Sequence, residues 1–276
     1  MMENANTPGP GWGPQRKRGA VSLSFDNLGE AAAINRGDVI AAEDFGHHPT
    51  AAFFPEFLGM VGDMPATWFI EASNALVYPD IIRAWAGAGK EVGIHAWQHE
   101  SWGKLDASQR QDILRRSVDA FTDLGIRPQG FRPPGGATPP GALEEYRNAG
   151  LSYCSPLGEM GNSHVADGVA VVPFAWHHVD AYLIDPKLTA LRGRNGDPEP
   201  HVSMPQWAGV LDAALAFARD RRAHVTLIFH PVVLLELPDS LPVLRDFIGK
   251  LKVADDLWVA TCGDVAASLH DKPRMT

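Results

Sequence analysis

The 276-residue chain carries a formal net charge of −9 at pH 7 and is 45% apolar, the balance of an ordinary globular protein. That charge argues against a nucleic-acid partner, which requires a basic face, and no apolar run approaches membrane-spanning length. Only Cys154 and Cys262 are present, so there is no disulfide framework, and both read as buried thiols.

Residues 1–18 are rich in Pro and Gly, end in Arg16-Lys17-Arg18 and lack the apolar core of a signal peptide. They read as a flexible tail on a cytoplasmic protein, ahead of one domain over 19–276. Residues 20–25 (AVSLSF) have the β-prone character of a buried strand and run into Asp26-Asn27. A long polar connection follows to Thr50, and Pro55 is expected to open a short helix near 57–61. Residues 66–70 form a second strand, 78–88 a helix with Ile81, Ile82 and Trp85 in its stripe, and 91–94 a third strand. Ser108 is the expected N-cap of a helix carrying Leu114, Val118 and Phe121 on one face, closed by Gly125. A short strand over 130–132 ends in Pro133-Pro134-Gly135-Gly136, followed by a helix over 140–148 and a strand over 151–155. Residues 169–176 read as a strand interrupted at Pro173, and 192–205 as a long loop. A helix over 207–219, a buried strand over 224–229 ending at His230, a helix over 241–251, a strand over 257–261 and a terminal helix complete the chain.

Strands alternating with helices imply a parallel sheet. Roughly seven such units, with no Gly-rich dinucleotide turn after the first strand, point to a single-domain α/β fold, a distorted (β/α)7-type barrel. In such barrels the catalytic groups come from several strands at the C-terminal rim. Asp26-Asn27, His95, Arg132 and His230 each stand at a strand end. His95 and His99, four apart, would share one face of a helical turn and converge on one metal ion. Ala96 occupies the place where a zincin motif carries its general-base Glu.

In this order the motifs resemble the polysaccharide deacetylase family, the NodB-homology group of the fourth carbohydrate esterase family. Its T-F-D-D motif is matched by Ser24-Phe25-Asp26-Asn27, and its H-S/T-x-x-H motif by His95-Ala96-Trp97-Gln98-His99. R-x-P-x-G is met in full by Arg132-Pro133-Pro134-Gly135-Gly136. The closing strand-His motif is Leu227-Ile228-Phe229-His230, and Ala66-Thr67-Trp68-Phe69-Ile70 is similar to the family's A-T-F-F-V strand. The resemblance spans residues 20–265. It implies that His95, His99 and the residue at position 27 hold a divalent metal, Zn2+ or a similar ion such as Co2+. It further implies Asp26 as general base, Arg132 as the group that keeps it ionised, and His230 as general acid.

Three departures accompany it. Asn27 replaces the family's second, metal-binding Asp, and Ala96 replaces a hydroxyl residue. The D-x-x-D-W motif is missing from 153–157, and Pro173-Phe174-Ala175-Trp176-His177-His178-Val179-Asp180 resembles instead the allantoinase-like branch of the fold, which includes peptidoglycan-deacetylase-related proteins and members acting on cyclic amides without a metal. Glu43, Asp44, His47 and His48 are candidates for the missing anionic ligand, and Asp180 for the partner orienting His230. Trp97, Trp102 and Trp176, with Pro134 and Gly135, are the expected substrate-binding wall. The expected activity is metal-dependent N-deacetylation of an N-acetylated sugar. The alternatives are a metal-independent cyclic-amide hydrolase and a non-catalytic carbohydrate-binding relative. The expected partner is a small molecule or glycan, with no nucleic acid and no membrane span; a homo-oligomer is left open.

Overall fold

A strand buried on both faces needs an unbroken run of small or apolar residues, and β1 (Gly19–Asp26) meets that requirement, being buried at all eight positions. The computed structural model describes residues 11–197 and 201–271. The strands that follow are β2 (Ala66–Ile70), β3 (Glu91–Ile94), β4 (Gly130–Phe131) and β5 (Tyr153–Cys154). After them come β6 (His164–Ala166), β7 (Val169–Val171), β8 (His224–Phe229) and β9 (Leu257–Val259).

Among the described residues they form one sheet in the order β6-β7-β5-β4-β3-β2-β1-β8. One edge of β1 pairs with β8 from Ala20 to Phe25. The other is divided between β9 along Gly19–Val21 and β2 along Leu23–Asp26. All these pairs are parallel; β6–β7 is the antiparallel exception. The sheet curls into a half-barrel, and the chain leaving β7 returns along its open side. There Val179 makes a parallel bridge to Ile228 of β8. The single-domain (β/α) barrel expected from the alternation is therefore the fold, with strand C-termini gathered on one rim.

Helices cover the outer face of the sheet. Phe57, from the helix Pro49–Val61, stacks on Trp85 of the helix Pro79–Gly87 at 5.5 Å and meets Phe25 of β1 edge-on at 4.6 Å. Fully burying such a ring is worth about 1.5–3 kcal/mol, so this aromatic stack fixes both helices against the first strands.

Several boundaries differ from expectation for local reasons. The helix expected from Pro55 begins at Pro49, which fits the first turn because it lacks the N–H that would otherwise be unpaired; Pro55 lies inside it. Asp106, not Ser108, caps the helix Ala107–Asp123, forming a reciprocal capping box with Gln109. The stretch before Arg192 and the start of the expected loop carry two short helices, Asp180–Ile184 and Thr189–Arg194. Of the expected tail, residues 1–10 lie outside the described residues. Residues 11–18 are docked, because Trp12 pairs with Lys17 across a tight turn and donates from Nε1 to the Arg222 carbonyl at 2.7 Å.

Candidate functional site

The C-terminal end of β1 delivers Asp26, only 4% exposed, into the middle of the rim. Arg132, at the end of β4, is 1% exposed and donates from Nη1 to Asp26 Oδ1 at 2.5 Å and to Ser24 Oγ at 3.0 Å. Its Nε and Nη2 donate to Ser155 Oγ at 3.2 and 3.0 Å, and the guanidinium lies 4.0 Å over the Phe69 ring. Burial alone would raise the Asp26 carboxyl, but Arg132, with His95 and His230 beyond it, outweighs burial and holds it below the usual carboxylate range. Asp26 is thus kept as an anion.

His95 follows β3, and its Nδ1 lies 2.7 Å from the Arg132 carbonyl. A carbonyl only accepts, so Nδ1 carries the proton and Nε2 keeps a lone pair; Nε2 stands 3.9 Å from Asp26 Oδ2. His99 brings its ring to 4.8 Å from that of His95. Burial lowers both imidazoles, with His99 pulled down to about 3 by burial and then by neighbouring His95, so both are neutral.

The two histidines converge as expected, but on a tight turn rather than a helix. Ala96 and His99 take positive φ values of 62° and 67°. The Glu100 carboxylate accepts the N–H groups of Trp97 and Gln98 at 3.1 and 3.0 Å. The Ala72 and Ser73 amides bind the carbonyls of Ala96 and Trp97. These bonds take the partners that a helix would have used.

His230, immediately after β8, completes the rim. Its Nδ1 lies 2.6 Å from Asp180 Oδ1, and its backbone N–H donates to Asp180 Oδ2 at 2.7 Å. Burial would lower this imidazole, but the Asp180 carboxylate raises it above the ordinary histidine value. With Nδ1 committed to Asp180, Nε2 is the nitrogen available to a substrate. Asp180 thus stands against His230, where the sequence expected an orienting partner.

Asp26, His95, His99, Gly135 and His230 border a cavity of about 260 Å³. Gly135 and Gly136, at φ 70° and 77°, make the turn after Arg132, in a region where glycine alone has no steric penalty. Trp176 lines the cavity, together with Phe174, Val179, Leu188, Leu191 and Ile228. Of these, only Trp176 is among the wall residues expected from sequence; Phe174, Val179 and Ile228 lie within motifs already quoted, and Leu188 and Leu191 carry no motif signal.

The other expected site residues are placed away from this cavity or are engaged elsewhere. Asn27, in a left-handed backbone at φ 68°, commits its amide to Glu71, donating from Nδ2 to Oε1. Trp97 belongs to a neighbouring groove with Phe45 and Val77, under the Arg116 guanidinium at 4.1 Å. Trp102 is a fully buried core residue, donating to the Tyr146 hydroxyl at 3.0 Å. Pro134 is buried in the turn beneath Gly135 and does not border the cavity. Nor do Glu43, Asp44, His47 and His48: the first three are exposed, and His48 caps the helix Pro49–Val61 by accepting the Thr50 N–H.

Sequence reasoning missed Glu71. It directly follows β2, is fully buried, and accepts from Asn27 and from the Leu28 N–H at 3.1 Å. The signal was available, since Glu71 ends an apolar strand just as Asp26, His95, Arg132 and His230 do.

A tightly held divalent ion needs three or more donors, usually with an anionic one among them. Among the described residues no group of three or more His, Cys, Asp or Glu is arranged to hold one. His95 and His99 meet two positions, but Asn27 is committed to Glu71, and one oxygen of Asp26 is committed to Arg132. The donor set therefore does not fit a tightly bound metal.

Comparison with known proteins agrees with this arrangement. The family model described as polysaccharide deacetylase matches residues 46–154. A peptidoglycan deacetylase-like protein of Gibberella zeae is 38% identical over 69 residues, which is 25% of this chain and 20% of that relative; the matched region is thus about a fifth of the relative's length. Among solved structures, a Mycobacterium smegmatis protein provisionally assigned as a polysaccharide deacetylase superposes with a TM-score of 0.78 at 24% identity, covering 96% of this chain and 94% of the other. The Puue allantoinase superposes with a TM-score of 0.75 at 20% identity, over 99% of this chain and 96% of the other. With the ordered motifs on the strand ends of a curled barrel and the model match over residues 46–154, the chain is similar to the polysaccharide deacetylase family and shares the fold of its solved structures.

Proposed function

We propose that the protein is a hydrolase of carbon–nitrogen amide bonds acting on an N-acylated amino sugar. The observation that carries this reading is the pairing of opposite proton duties on one cavity: Asp26 held ionised by Arg132, and His230 held basic by Asp180. A water in the cavity gives a proton to Asp26 and attacks the amide carbonyl carbon. As the tetrahedral intermediate collapses, His230 Nε2 gives a proton to the departing nitrogen and the C–N bond breaks. The products are a carboxylic acid and a free amine. No step is assigned to a metal, because Asn27 and Asp26 are otherwise engaged.

Relatives named for peptidoglycan deacetylation support an amino sugar as the amine component. The test is amine release from N-acylated glucosamines by wild type, Asp26→Asn and His230→Gln, with thermal melts alongside. Each variant is expected to lose roughly 10²–10⁴-fold in turnover while still melting cooperatively. A wild type that releases no amine from any such compound would end this reading.

A cyclic amide is the second reading, favoured by the small cavity and by the engagement of Asn27. Ring opening yields one product in place of two, so offering a cyclic amide beside the N-acylated glucosamines and following product mass separates the two readings.

A further inference from the structure

The chemistry of the cavity wall is lopsided. Its charged and polar side chains, Asp26, His95, His99 and His230, come from strand ends and from the turn after β3. The remaining wall is carbon: Phe174, Trp176, Val179, Leu188, Leu191 and Ile228. Phe174 and Trp176 meet edge-on at 5.7 Å, and Trp176 is backed by a stacked Tyr182 at 5.3 Å. Leu188 ends the 3-10 turn Pro186–Leu188, and Leu191 lies in the short helix Thr189–Arg194 that follows it.

A sugar ring inside such a wall would leave its hydroxyls without partners, and an unpaired buried hydroxyl is costly. An aliphatic or aromatic group gains from the same surface. The cavity, at about 260 Å³, falls just below the roughly 300–1,000 Å³ usual for small-molecule sites, so it holds one compact group and not a stretch of polymer. The amide must lie against Asp26 and His230. The apolar remainder of the cavity then receives the acyl side, and the hydroxyl-rich amine stays at the mouth.

The geometry points to an acyl group larger than acetyl, with Leu188, Leu191 and Trp176 as the residues that set this specificity. The inference rests on the amide-hydrolase reading above and goes beyond it in naming the acyl class. An acetyl methyl would leave most of the carbon wall facing water, whereas a butyryl, branched or benzoyl group would cover it.

The experiment is a series of glucosamine amides (acetyl, propionyl, butyryl and benzoyl) compared by kcat/KM. Calorimetric titration with the neutral amides acetamide and butyramide runs in parallel. Burial of one methylene corresponds to about a fourfold gain, so butyryl should exceed acetyl roughly fifteenfold in both measurements. Leu191→Asn, which keeps the side-chain size and replaces a half-buried apolar wall residue, should cut that ratio at least threefold. Turnover in which acetyl equals or exceeds butyryl overturns the inference and leaves the hydrolase reading standing. No turnover on any amide removes both. An unchanged butyryl-to-acetyl ratio in Leu191→Asn overturns the assignment of the specificity to this wall.

Discussion

At the end of β2, Glu71 is surrounded by donors: Asn27 Nδ2, the Leu28 N–H at 3.1 Å and Asn74 Nδ2 at 3.3 Å. Burial nevertheless dominates and pushes its carboxyl up to about 7 from an ordinary 4.5. A carboxyl raised on folding retains its proton better in the native state than in the unfolded chain. Its stabilising effect is therefore complete below about 4.5 and disappears as pH rises through about 7. A difference of this size corresponds to about 3 kcal/mol. The expected outcome is a wild-type unfolding free energy that falls between pH 5 and 7.5, and a Glu71→Gln variant in which that decline is flattened. Parallel pH curves for the two proteins in urea titrations would refute the buried proton. Asp26 and Arg132 were legible in the sequence because each ends an apolar strand, and a full R-x-P-x-G motif surrounds Arg132. The commitment of Asn27 to Glu71 was not, since the two are far apart in the chain and only the left-handed backbone at Asn27 turns the amide toward its partner.

The turn that follows β3 shows how an element can place the right residues by an unexpected route. The spacing of His95 and His99 implied convergence, and their rings do converge at 4.8 Å. The helix invoked to achieve it is absent because Glu100 and the amides of Ala72 and Ser73 take the backbone groups first. Two neutral imidazoles remain competent donors, and the neighbouring β1 end decides whether they gain a third. With Asn27 tied to Glu71, Zn2+ is expected to bind wild type weakly. Asn27→Asp exchanges a donor to Glu71 for a second carboxylate, which is repelled from Glu71 and is free to turn toward the histidines. Altering a group that merely orients a ligand already changes affinity roughly 10–100-fold, so a restored charged ligand should tighten Zn2+ binding at least tenfold. Calorimetry on the purified protein reads this directly. Tight, stoichiometric Zn2+ binding by wild type would contradict the two-donor description, and equal affinities would show that position 27 cannot reach the ion.

On the scale of the whole molecule, a parallel, barrel-like sheet was readable because alternating strands and helices leave few topologies. Residues 174–194 were not, since they close the open side of the half-barrel through tight turns and very short helices that have no periodicity to detect. This seam also sets His230, the proposed proton donor. Val179 bridges to Ile228, and the next residue, Asp180, binds both the backbone N–H and Nδ1 of His230. One buried carboxylate thus joins the return segment to β8 and raises the His230 imidazole. The two duties can be separated by substitution. Asp180→Ala removes both bonds and leaves a buried N–H without its partner, a loss of about 1–3 kcal/mol, or roughly 2–10 °C in Tm. Asp180→Asn keeps an acceptor for the N–H but loses the charge, so its Tm should stay much closer to wild type. In that variant His230 gives up its proton at lower pH. A general acid fails as pH rises through its own pKa, so the high-pH limb of kcat/KM should move to lower pH. If Asp180→Asn leaves that limb in place, His230 is not the acid that Asp180 tunes; if Asp180→Ala melts with wild type, the seam is held by other contacts.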